Sequence, residues 1–296
     1  MKTQIQSPRP YIRQARPPDK EAVLRFCQDT WEWGDYIPQV WDRWLREPDG
    51  KLLVTTIGTH PVAVGHIVMV TPSEAWLEGI RVDPVYRRTG LATRLTRRFS
   101  AEARAMGADV IRFLTSSLNT PIHRIAAKIG FARVASILPY EAEATQIESP
   151  LSSPEQRDLP HLLSFRQRST VLEAMGGLYG TGWRFHSLTP EQINIRLTKG
   201  QVRTVGEHGD ISAMAIIEPG YSGEGLVATY ADGQPDSLYV LALGLRAEAT
   251  RYDPPLVGVR LPTTAEVQRV FRSAGYHAQS EQPFWIFQQT LVRHKL

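Results

Sequence analysis

The chain has 296 residues, of which 42% are hydrophobic and 22% are charged, and its formal net charge is +4. This length and apolar content are sufficient for two domains with a core each. The single cysteine, Cys27, excludes an intrachain disulfide and a cysteine-based metal cluster, and it suits a reducing compartment.

The composition also limits the partners that we expect. No segment approaches the roughly 20 apolar residues that cross a bilayer, so we predict a cytoplasmic protein without a membrane partner. A net charge of +4 is small for a nucleic-acid-binding protein, and nucleic acid is not expected as a ligand. A homodimer is left open.

The first predicted elements are a strand and two helices. Residues 11–15 have the pattern of a strand, and Asp19 can cap a helix over residues 20–30. A second helix is predicted over residues 39–46, before the turn residues 48–50. Three antiparallel strands should follow, over residues 51–57, 61–70 and 73–82.

Between the two helices, residues 31–38 read WEWGDYIP and have no regular periodicity. The segment combines three aromatic rings with the carboxylates of Glu32 and Asp35. Carboxylates beside aromatic faces suit an ammonium or imidazolium group. The alternative is structural, with Trp31, Trp33 and Tyr36 covering the core and the carboxylates in solvent.

The strand over residues 73–82 leads into a turn and then a helix. Asp83-Pro84 ends the extended segment, and Leu91, Leu95 and Phe99 recur at helical spacing. A helix that begins near Gly90 directs free backbone N–H groups and its positive dipole end out of the turn. Such a turn predicts an anion site, with the alternative of an ordinary turn carrying solvated arginines.

The spacing within this turn resembles a known loop. Arg87-x-x-Gly90-x-Ala92, directly after Val82-Asp83-Pro84, is similar to the acyl-CoA pyrophosphate loop of the GNAT superfamily of N-acetyltransferases. A second element of that superfamily follows, namely Asn119, an apolar helix face and then Gly130-Phe131. The resemblance covers about residues 10–146.

This resemblance implies a fold of the α/β (α+β) class, a mixed and mostly antiparallel sheet flanked by helices. It implies acetyl-CoA as co-substrate, no metal, and residues 31–38 as one wall of the acceptor pocket. It further implies that a strand over residues 110–115 runs parallel to the preceding strand and splays from it, which exposes backbone groups to the pantetheine arm. The implied CoA-binding residues are Ile80, Arg81, Val82, Arg87, Arg88, Thr89, Gly90, Leu91, Ala92 and Asn119, the last with a helix N-cap as its alternative role.

One position departs from the pattern of the superfamily. Many members have a tyrosine four residues before the Gly-Phe pair, where it can protonate the departing thiolate, and here Ala126 stands there. The general acid is therefore not identified.

The second half of the chain has the same order of predicted elements as the first. Helices are expected over residues 162–174, 190–197, 235–248 and 264–274, with strands over 202–205, 211–217, 226–230, 256–259 and 284–291. Gly275-Tyr276 stands where Gly130-Phe131 stands, but the turn after Tyr230 lacks the Arg-x-x-Gly-x-Ala spacing.

We therefore predict a GNAT domain over residues 1–146 and a Ser-, Pro- and Glu-rich linker over residues 147–160. Residues 161–296 are predicted as a degenerate GNAT-like domain without a pyrophosphate loop. An unrelated α/β domain is the alternative for this second half.

The predicted activity is direct transfer of the acetyl group from acetyl-CoA to a primary amine, with backbone N–H groups near Val82 polarising the carbonyl. The predicted general base is Glu78, which strict strand alternation places on the face of Ile80 and Val82. Burial there would raise the pKa of its carboxyl group, and a salt bridge to an arginine is the alternative. Asp35 and His123 are reserve proton carriers.

The histidines of the antiparallel strands, His60 and His66, are expected to be partnered structural residues. For the acceptor, Gly34-Asp35-Tyr36-Ile37-Pro38, Trp44-Leu45 and residues 77–84 are similar to the histidine N-acetyltransferase-like branch of the superfamily. That likeness implies the α-amine of an amino acid. The alternatives are an acetyltransferase acting on protein amines and a non-catalytic acyl-CoA sensor.

Overall fold

The computed structural model describes residues 9–28, 30, 34–206, 209–220 and 225–291. Trp31, Glu32 and Trp33, which belong to the predicted acceptor wall, lie outside the described residues. Within those ranges, no helix has both the length and the apolar character needed to cross a bilayer.

The chain divides into two compact units. The first unit takes in the chain up to Phe113, then Thr120–Ala132 and the chain from Gln288 onward. The second unit consists of Leu114–Asn119 and Arg133–Phe287.

The first unit has the element order predicted for the first half of the chain. Its strands are β1 (Tyr11–Gln14), β2 (Gly50–Ile57), β3 (His60–Thr71), β4 (Glu74–Val82) and the start of β5 (Val110–Ser116), and its helices are α1 (Lys20–Cys27), α2 (Ile37–Trp44), α3 (Leu91–Ala105) and α4 (Thr120–Ile129). Strands β1 to β4 pair antiparallel in chain order, and β5 is parallel to β4. The mixed, mostly antiparallel sheet flanked by helices is therefore confirmed.

The two faces of this sheet are covered by different helices. On one face, Val64 packs in a buried cluster with Val23 of α1 and Trp41 of α2. On the other face, a Cβ added to Gly65 would stand 2.7 Å from the ring of Phe99, which belongs to α3. The absence of a side chain at Gly65 thus allows α3 to lie close to the sheet.

A β-bulge interrupts β4 opposite Gly65. Val64 pairs with Arg81 and His66 pairs with Glu78, so that two residues of β4, Gly79 and Ile80, oppose one residue of β3. Gly79 has a φ of +66°, a left-handed conformation that glycine adopts without steric cost.

The bulge overturns one prediction about the site. Strict alternation placed Glu78 and Ile80 on the same face of the sheet, which is wrong. Glu78 contacts His66, on the face that α2 covers, whereas Ile80 lies beside Gly65 on the face of α3. The extra residue of the bulge is the cause, because it changes the phase of the alternation.

The end of the last strand belongs to the first unit. Gln288 accepts a hydrogen bond from Arg112 Nε at 2.7 Å. Gln289 accepts one from the Ser100 hydroxyl at 2.7 Å and donates one to the Ile129 carbonyl at 2.7 Å. These residues therefore connect α3, β5 and α4, a contribution that the predicted division at residue 146 does not include.

The second unit also consists mainly of paired strands and helices. Its strands are β6 (Ala132–Glu143, from Arg133), β7 (Leu178–Thr181), β8 (Arg184–Ser187), β9 (Val202–Val205), β10 (Ala213–Pro219), β11 (Leu226–Gly233), β12 (Leu256–Pro262), β13 (His277–Ala278) and β14 (Phe284–Thr290, up to Phe287). Its helices are α5 (Leu159–Gln167), α6 (Thr170–Ala174), α7 (Pro190–Thr198), α8 (Pro235–Glu248) and α9 (Ala265–Ser273). Strands β6, β12, β11, β10 and β9 are neighbours in that order.

Two local features of the second unit differ from the prediction. The helix expected over residues 162–174 is two helices, because Ser169 has an extended backbone and its hydroxyl accepts a hydrogen bond from Leu172 N–H as the N-cap of α6. The hairpin of β7 and β8 was not predicted.

The strand pattern of the first unit recurs in the second. Strands β9, β10 and β11 pair antiparallel, and Ile216 pairs with Tyr230 while Ile217 pairs with Ala228, so Thr229 is an extra residue in β11. Helix α8 follows, and β12 then pairs parallel with β11. Each unit therefore contains antiparallel strands, a bulged strand, a helix and a parallel strand.

We expect Gln289→Leu to lower the free energy of unfolding by about 1–3 kcal/mol, because it removes two hydrogen bonds and leaves the Ile129 carbonyl without its amide donor. Urea denaturation of the full chain measures this change. Thr290→Ala, at an exposed position of the same strand, is the control and should change stability by less than about 0.5 kcal/mol. Equal effects of the two variants would contradict the role given to Gln289.

Candidate active site

The turn between β4 and α3 has the geometry that the sequence predicted. The Asp83 carboxylate accepts a hydrogen bond from Val85 N–H at 2.9 Å, and the Thr89 hydroxyl donates to the Tyr86 carbonyl at 2.6 Å. Gly90 has a φ of +85° and directly precedes α3, whose first residue, Leu91, is buried. These contacts fix the point at which the helix begins.

The start of α3 is open to a ligand. A Cβ added to Gly90 would meet no atom within 4 Å. The first helical hydrogen bond runs from Arg94 N–H to the Gly90 carbonyl, so the amides of the first turn point out of the helix. Arg87 and Arg88 are both exposed beside this opening. Backbone donors and two guanidinium groups in one place are suited to an anion such as a pyrophosphate.

Beside this turn, β4 and β5 pair over only part of their length. The parallel pairs extend from Glu74 with Val110 to Trp76 with Arg112, whereas β4 continues to Val82. The backbone of Ile80, Arg81 and Val82 thus lies beyond the parallel pairs, as the splay predicts. A strand edge of this kind can bind the amide groups of an extended ligand.

Asp35 is held in an ion pair rather than free in a pocket. Its fully buried carboxylate lies 2.6 Å from Arg81 Nε and accepts a hydrogen bond from Ile37 N–H at 3.0 Å. The Arg81 guanidinium lies 5.3 Å from the ring centroid of Tyr36. This cluster fixes the start of α2 against β4, and the predicted roles of the segment as an acceptor wall and of Asp35 as a proton carrier stay predictions.

Glu78 contacts His66, the histidine opposite it on β3. Its Oε1 lies 3.0 Å from Nδ1 of His66, and its side chain is 16% exposed, whereas that of His66 is fully buried. His66 is therefore a partnered residue, as predicted. Glu78 can exchange protons with solvent or with a substrate, while the imidazole behind it cannot do so directly.

The remaining candidates lie after β5. The Asn119 side-chain amide donates to the Thr115 hydroxyl at 3.0 Å, and both residues belong to the second unit. His123 lies on α4 in the first unit and is half-buried. The described contacts join Asp35 to Arg81 and Glu78 to His66. The roles predicted for Asn119 and His123 stay predictions.

Two other groups near the start of α2 are neutral at physiological pH. Burial raises the pKa of the Cys27 thiol to about 12 and that of the Tyr36 hydroxyl to about 12. The only thiol of the chain is therefore not a nucleophile in the folded protein.

The helix that follows the bulged strand of the second unit begins differently. Pro235 occupies its first position and Asp236 its first turn. The buried carboxylate of Asp232 accepts hydrogen bonds from Gly233 N–H at 2.7 Å and from the hydroxyls of Tyr230 and Ser169. Gln234 thus stands at the N-cap, where the first unit has Gly90, while Pro235 removes one first-turn amide and the carboxylates disfavour an anion.

Comparison with known proteins agrees with this description. Residues 19–131 match the model of the acetyltransferase (GNAT) family. These residues form a GNAT acetyltransferase domain. No curated protein matches the sequence.

Solved structures extend the likeness beyond the GNAT domain. A proposed acetyltransferase of Thermoplasma acidophilum has a TM-score of 0.61 at 15% identity, covering 95% of this chain and 99% of its own. A GCN5-related N-acetyltransferase of Sphaerobacter thermophilus has a TM-score of 0.59 at 16% identity, with 96% of each chain covered. A tandem GNAT protein from the clavulanic acid biosynthesis pathway has a TM-score of 0.56 at 12% identity, covering 97% of this chain and all of its own. At such identities the likeness concerns the fold, and it supports the two-domain arrangement.

We expect Gly79→Ala to destabilise the protein more than Gly58→Ala does. Both residues have left-handed backbones, with φ of +66° and +60°, so alanine costs about 1–2 kcal/mol at either position. Only at position 79 would the new Cβ also stand 2.5 Å from the Trp44 ring, which adds roughly 1–3 kcal/mol of overpacking. Urea denaturation of both variants measures the difference, and equal losses would mean that Trp44 does not constrain β4.

Proposed function

We propose that the GNAT domain binds acetyl-CoA and transfers its acetyl group to a primary amine of a small molecule by direct attack. The observation that carries this proposal is the open start of α3 at Gly90, next to the part of β4 that extends beyond its pairing with β5. Together they offer donors for a pyrophosphate and an extended backbone for the pantetheine amides.

The proposed contacts follow from this geometry. The first-turn amides from Leu91 and Ala92 onward, together with Arg87 and Arg88, would hold the pyrophosphate, with Thr89 within the loop. The backbone of residues 80–82 would bind the pantetheine arm. A backbone N–H near Val82 would donate to the carbonyl oxygen of the thioester, where negative charge develops during attack.

The proposed reaction needs one base and no protein nucleophile. Glu78 takes one proton from the ammonium group of the acceptor, and the neutral nitrogen then attacks the acetyl carbon. A carbon–nitrogen bond forms and the carbon–sulfur bond breaks. The nitrogen loses a second proton to the departing thiolate, so that one proton in total is released to solvent. The high pKa of Cys27 disfavours an acetyl-cysteine intermediate and supports direct transfer.

The proposed transfer of the second proton, from the nitrogen to the thiolate, is compatible with an alanine at position 126. Ala126 is buried and offers no proton. The attacking nitrogen itself carries the proton that the thiolate needs, so the proposed reaction does not require a tyrosine at this position.

We propose the second unit as a degenerate GNAT-like domain that binds no CoA. The repeated strand pattern supports a fold like that of the first unit. Asp232, Pro235 and Asp236, at or just before the start of α8, argue against a pyrophosphate there. Its role would be structural.

The proposed acceptor is the α-amine of an amino acid, in line with the resemblance to the histidine N-acetyltransferase-like branch. An α-ammonium group has a lower pKa than a lysine side chain, for which the value is about 10.4, so a carboxylate base suffices more readily for the former. Protein amines are the other acceptor class. A protein that binds acetyl-CoA but acetylates none of a panel of amino acids, polyamines and lysine peptides would be an acyl-CoA sensor instead.

We expect Gly90→Glu to reduce CoA affinity by at least about tenfold, because the new carboxylate would occupy the anion site and repel the phosphates. The control is Gly107→Glu at the other end of α3, where φ is +95° and a Cβ also meets no atom within 4 Å. Calorimetric titration with CoA should give one site per chain in the wild type and in Gly107→Glu. Unchanged affinity in Gly90→Glu, or two sites per wild-type chain, would contradict the assignment.

We expect Glu78→Gln to lower kcat/KM for the best acceptor of the panel by roughly 10²- to 10⁴-fold, since it removes the proposed base. The base must be unprotonated to act, so wild-type activity falls as the pH is lowered, and this acidic limb should move or vanish in the variant. Initial rates from pH 5 to 10 measure both effects. Near-normal rates with the same pH profile would exclude Glu78.

A further inference from the structure

His66 lies between two carboxylates inside the first unit. Its Nδ1 is 3.0 Å from Oε1 of Glu78, and its Nε2 is 3.5 Å from Oε2 of Glu47. Glu47 lies between α2 and β2, and its side chain is 18% exposed, so it connects the buried ring to the protein surface.

The packing around His66 is specific for an imidazole in this orientation. The ring stacks on Trp44 with centroids 4.5 Å apart and planes within 5° of each other. Gly50 makes room for the ring, because a Cβ there would stand 2.7 Å from Nε2. Burying an imidazole with two carboxylates costs more free energy than burying an apolar side chain of the same size, which indicates a role beyond packing.

We propose that His66 is a positioning residue, which holds the base Glu78 by donating a hydrogen bond from Nδ1 to its carboxylate. This inference rests on the proposed acetyl transfer. A carboxylate oriented by an imidazole, itself oriented by a second carboxylate, is an arrangement that fixes a base in its working geometry.

The proton stays on one residue. His66 Nδ1–H donates to Oε1 of Glu78, because a lone pair on Nδ1 would repel the carboxylate oxygen 3.0 Å away. The other oxygen of Glu78 accepts the proton from the acceptor ammonium and passes it to solvent after the product leaves, because the Glu78 side chain is partly exposed and that of His66 is not. The hydrogen on Nδ1 is assigned from the position of Glu78.

The sign of the pH effect follows from the charges that face His66. Glu47 approaches it from the segment between α2 and β2, and Glu78 from β4, while α2 contributes the Trp44 ring. Glu47 favours the imidazolium form of His66, whose hydrogen bond and positive charge stabilise the carboxylate form of Glu78. In Glu47→Gln this stabilisation is weaker, so Glu78 should take up its proton at higher pH, and the acidic limb of the activity profile moves to higher pH.

The test compares His66→Gln, Glu47→Gln and the control His60→Gln, an exposed histidine of the same strand. We expect His66→Gln to lower kcat by about 10- to 100-fold, less than loss of the base itself, and to move the acidic limb to higher pH, because the imidazole no longer stabilises the Glu78 carboxylate. KM for acetyl-CoA should not change, because the start of α3 is untouched. Glu47→Gln should move the limb with a smaller loss of kcat, and His60→Gln should behave as the wild type.

Two outcomes would overturn the assignment. One is a His66→Gln enzyme with the wild-type rate and pH profile, and the other is a slower enzyme whose acidic limb has not moved, which indicates a purely structural histidine. A wild type that is inactive on every amine refutes the proposed function instead. In that case NMR of ring-labelled histidine decides the pairing, because an identical titration of His66 in the wild type and in Glu78→Gln would exclude the hydrogen bond between His66 and the Glu78 carboxylate.

Discussion

The close contact between Gly79 and the Trp44 ring is the constraint on which the site depends. Only glycine fits this position, because its backbone is left-handed and a Cβ would overlap the indole. The bulge that it forms turns Glu78 toward α2 and Ile80 toward α3. One residue without a side chain therefore decides which chemical groups each face of the sheet presents. Strain at this position would disturb the proposed base, Glu78, and the proposed cofactor edge of β4 together.

Local sequence signals were sufficient to predict the turn between β4 and α3 and the order of the elements in the first unit. Asp83-Pro84, Gly90 and the spacing of Leu91 and Leu95 act within a few residues of one another, and the structure places α3 where they indicate. The bulge could not be predicted in this way, since its evidence is a contact between Gly79 and a tryptophan more than thirty residues earlier. The predicted alternation of the β4 side chains after Glu78 was therefore wrong.

Pairings between distant elements explain what else the sequence did not reveal. The approach of Glu47 to His66 depends on how the segment before β2 folds over the sheet, and no spacing within either segment indicates it. Asp35 was a candidate proton carrier because of its aromatic neighbours, yet its partner is Arg81 on another element. The role of a carboxylate in an aromatic segment of this kind is thus ambiguous until its counter-ion is known.

The strand end that binds Ser100 and Ile129 has a consequence for biosynthesis. Gln289 follows Ile129 by 160 residues, so the ribosome must add all of them before this strand is available to the first unit. At the usual rates of translation this takes roughly 10 to 30 s. During that interval α3 and α4 emerge from the exit tunnel without their final partner, and the nascent chain depends on chaperones or on its own collapsed state to avoid aggregation. The order of synthesis therefore delays the completion of the first unit until β14 has been made.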